Sequence, residues 1–156
     1  MGLVRDVHGV IMPSYRGDAA TGKHVVSTAW QVSGVLPDGR KFTVRVFGGF
    51  SFDGASIPRT FWRLCGHPME VPRVAAALAH DWLYAAHVCD RATADAIYAE
   101  ICRMVGMASL RVTIEHAALR IFGCRAWKNH GESEQGFARS HGEFVLQTQR
   151  RKEIKV

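Results

Sequence analysis

An α+β fold, with a small antiparallel β-sheet in the N-terminal half followed by a three-helix cluster, is what this chain predicts. Three observations carry that expectation. Lys41 to Phe47 alternates, with Phe42, Val44 and Val46 on one face and Lys41, Thr43 and Arg45 on the other. Leu36-Pro37-Asp38-Gly39 just before it is a turn, because proline presets one dihedral and glycine tolerates positive φ. From Val71 onward, apolar residues recur at helical spacing between capping residues. The reading is one domain over residues 1–128 and a tail over 129–156, where glycine and charge rise and periodicity fades.

In chain order, Val7 to Met12 reads as a short strand and Tyr15 to Lys23 as a polar loop. His24 to Ser33, rich in Val, Thr and Trp, reads as a strand that the turn joins to Lys41–Phe47 in an antiparallel hairpin. Gly48-Gly49 ends the sheet signal, and Phe50 to Gly66 reads as an irregular connection. Pro72 suits a first helical turn, so the first helix is expected from Val71 to Val88. Asp90 is expected to cap a second helix ending near Gly106, and Ser109 a third that runs to Phe122 and closes at Gly123. One late strand or helix is expected in the tail. Trp62, Trp82 and Trp127 are expected to anchor the core.

Composition excludes several classes. The 156 residues suffice for one buried core without staples. No apolar run approaches the roughly 18–20 residues that cross a bilayer, so no transmembrane segment is expected. The N-terminus reaches charge and glycine too early for a signal peptide, which predicts a cytosolic site of synthesis. Export or assembly into a particle would leave no mark of this kind. Cys65, Cys89, Cys102 and Cys124 form no C-x-x-C pair and read as free thiols, with Cys89 and Cys102 buried. A net charge of +6 is spread along the chain apart from Arg150-Arg151-Lys152 and Lys155, so no specific nucleic acid is expected.

The candidate site begins with Ala79-His80-Asp81-Trp82-Leu83-Tyr84. His80, Tyr84 and His87 recur at i, i+4 and i+7 and share one helix face, with Asp81 about a quarter-turn away. A short connection at Asp90 makes the next helix an antiparallel neighbour and brings Asp95 level with Tyr84. An imidazole oriented by a carboxylate is a general base for water, with Asp95 fixing its tautomer. Asp81 and Asp53 are the candidate ligands for a divalent cation that polarises the bond under attack. The spacing His-Asp-x-x-Tyr, followed by an aspartate on an antiparallel helix, resembles the catalytic helix pair of secreted phospholipases A2. It departs from them in having no Tyr-x-Gly-x-Gly calcium loop and no cysteine beside His80. The structural alternative is a buried polar clamp in which His80, Tyr84 and Asp95 satisfy one another and Arg91 or Arg103 pairs with Asp95 or Asp81.

Asp53 stands in Phe50-Ser51-Phe52-Asp53-Gly54-Ala55-Ser56-Ile57-Pro58-Arg59 and reads either as a ligand or orienting group or as an Asx-turn. His116 reads as a structural residue, since Glu115-His116 lacks the H-E-x-x-H partner. Ser51 and Ser56 lack a G-x-S-x-G elbow.

Three motifs in order, Gly49 to Arg59, Ala79 to Tyr84 and Arg91 to Asp95, followed by Ala118 to Gly123 and Trp127, resemble the DUF1353 family of small proteins frequent in tailed bacteriophages and prophages. The resemblance spans residues 40–128, with Phe52 in place of the family's usual threonine. It implies a phage context without an established reaction, and it groups Asp53, His80, Asp81, Tyr84 and Asp95 as one polar set. The first expectation is a phage-encoded His/Asp hydrolase, metal-assisted or not, acting on a host-envelope ester or amide. The second is a non-enzymatic virion component, a tail or tail-tip protein whose partners are other phage structural proteins. A third is a small protein that binds and inhibits a host factor.

Overall fold

Tight turns build the N-terminal half of this computed structural model, which describes residues 6–53 and 70–148. The stretch from Gly54 through Arg59, Trp62, Cys65 and the C-terminal basic cluster lie outside the described residues. The first expected strand is a hairpin, β1 (Asp6–Val7) and β2 (Val10–Ile11), turned by His8 at φ 51° and Gly9 at φ 83°. Two successive positive φ values are the requirement of a two-residue hairpin turn.

The expected polar loop contains β3 (Tyr15–Gly17), which pairs with β4 (His24–Val26). The run from His24 to Ser33 divides, because β4 joins the sheet β3-β4-β7 while β5 (Trp30–Val35) starts another. β7 is Ser51–Phe52, antiparallel to β4 with His24 opposite Phe52.

β5 and β6 (Lys41–Val46) form the expected hairpin, in register from Trp30 opposite Val46 to Val35 opposite Lys41. Its turn is closed by Leu36 N–H to Arg40 O and Gly39 N–H to Leu36 O, both 2.8 Å, with Gly39 at φ 86°. Phe42, Val44 and Val46 are buried, and the alternate residues face outward.

The helices number four among the described residues, where three were expected. α1 (Val74–Ala86) buries every residue except Asp81. Its alanines let α2 (Arg91–Met104) and the sheet approach closely. Asp90 caps α2 by accepting the Thr93 N–H at 3.0 Å. α3 (Ser109–Lys128) runs six residues past the expected stop at Phe122. Gly123 is therefore no helix terminator. A Cβ there would lie 2.5 Å from the Tyr84 hydroxyl, so glycine is required by close packing. Ala108, not Ser109, occupies the cap position of α3.

Beyond Lys128 the chain forms α4 (Glu132–Ser140) and β8 (Gly142–Gln147). β8 completes the sheet β5-β6-β8, with Phe144 opposite Val44. α4 packs on α1, where Trp82 donates its indole N–H to Ala138 O at 2.8 Å. Gly142 lies against the Trp82 ring and leaves no room for a side chain. Cys102 is buried, Cys89 half-buried and Cys124 exposed, all free thiols.

Candidate functional site

The short turn between α1 and α2 does what the spacing requires and sets Asp95 against the His80 face. His80 Nε2 meets Asp95 Oδ1 at 2.9 Å, and the Tyr84 hydroxyl donates to the same oxygen at 2.6 Å. The other oxygen, Oδ2, accepts from Arg120 Nη1 at 2.8 Å, with Arg91 Nη1 at 3.6 Å. His80 and Asp95 are both 0% exposed. Arg91 thus takes the role expected for it, while Arg103 pairs with Glu100 at the surface. His87 leaves the shared face because it is the left-handed cap of α1, and it stacks on Trp127 at 4.0 Å.

The electrostatics follow from burial. Desolvation pushes the His80 pKa below its ordinary 6.5, against the raising pull of Asp95. Burial alone would raise the Asp95 carboxyl, but contacts from His80, Tyr84 and Arg120 outweigh it and hold the group below 3.8. The Tyr84 phenol is raised by burial first and by Asp95 second. A carboxylate facing a neutral imidazole accepts a hydrogen bond from Nε2–H, which fixes the proton on Nε2 and leaves Nδ1 a bare acceptor. That atom is buried and has no hydrogen-bond partner among the described residues. His116 is half-buried on α3, and burial lowers its pKa as well.

Asp81 and Asp53 also meet. The Asp53 backbone N–H donates to Asp81 Oδ2 at 3.2 Å, which ties the end of β7 to α1. Two carboxylates, one of them engaged with an amide, are few for a calcium ion, which takes about six to eight oxygens. Among the described residues no three His, Cys, Asp or Glu side chains are grouped to hold a metal.

A cleft of about 450 Å³ opens between β7, α1 and the α3–α4 junction. Tyr84, Asp53 and Asp81 line it, and so do Glu134 and Phe137 of α4. His80 and Asp95 are not among its lining residues. Among the described residues, Tyr84 is the one side chain common to the cleft and the buried network.

Sequence reasoning missed a second buried carboxylate. Glu115 of α3, 0% exposed, pairs with Arg73 just before α1, accepts the Tyr98 hydroxyl at 2.7 Å, and meets Arg111 Nε at 3.3 Å. A signal for it exists in the sequence. Glu115 stands three residues after Val112 and four before Leu119, on the buried stripe of the helix. Arg120 carried no comparable signal, since its neighbours Ile121 and Phe122 are exposed.

Sheet, helices and sealed carboxylates together define an α+β domain with a polar core at the junction of three helices. The chain belongs to the family described as "Protein of unknown function (DUF1353)", which matches residues 30–119. That match runs from β5 into α3 and takes in His80, Asp81, Tyr84, Asp95 and Glu115, whereas α4 and β8 fall outside it. No curated protein and no solved structure matches the chain.

Proposed function

We propose that this protein is a non-enzymatic component of a tailed-phage particle, a tail or tail-tip protein in which His80, Asp95, Tyr84 and Arg120 form a structural clamp. The observation that carries the reading is burial. His80 and Asp95 are each 0% exposed, and neither lines the cleft. A general base needs hydrogen-bond reach to the proton that it takes. A clamp needs only mutual satisfaction, which Asp95 has through four side chains. The phage context follows from the motif resemblance described above. On this reading the protein is made in the host cytoplasm, enters the particle by assembly, and has other phage structural proteins as partners.

Purified particles should contain the protein at fixed stoichiometry. Its absence from particles would overturn the assignment. His80→Gln should lower the melting temperature without removing any activity of the purified protein.

A second reading, a hydrolase acting on a host-envelope ester or amide, is favoured by one observation. Tyr84 lines the cleft and its hydroxyl bonds Asp95, so among the described residues it links the cleft to the buried imidazole through that carboxylate. This reading requires His80→Gln to abolish turnover at an unchanged melting temperature, and Asp53→Asn with Asp81→Asn to abolish any dependence on a divalent cation.

A further inference from the structure

The cleft beside Tyr84 is not used by the clamp, and its chemistry differs from that of the rest of the chain. The whole protein carries +6, yet among the described lining residues the cleft sets the carboxylates of Asp53 and Glu134 beside Lys23, with His130 Nδ1 at 3.1 Å from Glu134 and the Asp81 carboxylate engaged by the Asp53 amide. Low-dielectric walls focus such a local charge. Phe50 and Phe52, both buried, back the strand side, and the exposed Phe137 of α4 forms the open aromatic face. Phe137 is 48% exposed and rests on the His141 ring at 4.1 Å, so the helix presents it with a fixed backing. Asp53 is exposed, and its backbone is pinned to α1 through Asp81. Glu132 and Glu134 in the first turn of α4 offset the partial positive charge of that helix end. A volume of about 450 Å³ lies in the range of ligand-sized pockets.

We propose that this cleft binds a short basic segment of a partner protein, with a lysine or arginine cation directed at Asp53 and Glu134 and an adjacent apolar side chain seated on Phe137. The proposal rests on the binding-component reading, and it assigns that reading a surface. Charge complementarity selects the partner, because the Asp53 and Glu134 carboxylates suit a cation and the exposed Phe137 ring suits its stem and its neighbour. Particle stoichiometry tests the component reading separately, so failure of one is distinguishable from failure of the other.

The test is a titration of the full chain followed by amide NMR and calorimetry, with three probes: acetyl-Phe-Arg-amide, acetyl-Phe-Glu-amide and agmatine. The Phe-Arg probe is expected to bind saturably and to shift the amides of Asp53, Ala85, Ser133 and Phe137. Asp53→Asn and Phe137→Ala should each weaken it about tenfold, and added salt should weaken it further. Both positions are exposed, so the variants are expected to fold, which an unchanged melting temperature confirms. The proposal is overturned if the Phe-Glu probe binds as well, if agmatine alone binds as tightly as the dipeptide, or if no probe perturbs these amides.

Discussion

Asp95 and Glu115 are both fully buried where α1, α2 and α3 meet, and each accepts a tyrosine hydroxyl and an arginine. They differ in where the compensating charge sits. Glu115 faces Arg73, which is 1% exposed, so both members of that pair are out of water, while its second arginine, Arg111 at 3.3 Å, keeps 33% of its side chain in solvent. Asp95 has a neutral imidazole and a phenol as its buried partners, while Arg120 and Arg91 keep 39% and 20% of their side chains in solvent. Breaking an ion pair that water does not reach is costly, whereas partly solvated arginines can turn to water. The first network therefore locks the core, and the second joins that core to the wall of the cleft through Tyr84.

The largest effect that separates the two regions is removal of the carboxylate. Glu115→Ala takes the buried carboxylate away from Arg73, Arg111 and Tyr98 and should cost about 3–5 kcal/mol in urea unfolding. Asp95→Ala leaves two neutral groups unpaired and lets both arginines turn to water, so about 2–3 kcal/mol is expected. Equal losses would remove the distinction.

Gly123→Ala comes next. Its new methyl would sit 2.5 Å from the Tyr84 hydroxyl and 3.3 Å from Arg91 Nη1, so the Asp95 network must shift. About 1–3 kcal/mol should be lost, and pairing it with Tyr84→Phe should recover part of that loss. The Glu115 network should not respond.

The smallest effect is on acid stability. His80 has a folded pKa below 6.5, so below that pH the unfolded chain binds a proton that the folded chain refuses. Its stabilising contribution is complete above 6.5 and falls as pH drops. His116 has the same sign. Asp95, held below 3.8, adds a further loss only at lower pH, as its own folded pKa is approached. His80→Gln should flatten the part of the pH–stability curve just below 6.5, and an unchanged slope there would assign that slope to His116.

Local patterns were legible where one face is buried and the neighbour is close in sequence. The β5–β6 hairpin follows from alternation and a turn with defined dihedrals, and the His80–Tyr84–Asp95 contact follows from helix period and a short connection. What escaped depends on tertiary partners. α4 contains Gly136 and only one buried residue, Ala138, so its pattern is weak until α1 supplies a surface. β8 gains its identity from pairing with β6, almost a hundred positions earlier. Gly123 looked like a stop because glycine ends helices through positive φ, yet here its missing side chain makes room for Tyr84. The cleft was hidden for the same reason, since Ser133, Glu134 and Phe137 of its lining come from α4.

The central claim is that the imidazole of His80 is sealed and structural. Its ¹⁵N resonances, followed in the labelled full chain between about pH 5 and pH 7 where an ordinary histidine titrates, test this directly. The account predicts a single neutral tautomer, with the proton on Nε2 and slow exchange with water throughout. A protonation midpoint near 6.5 with rapid exchange would place that ring within reach of solvent and contradict it.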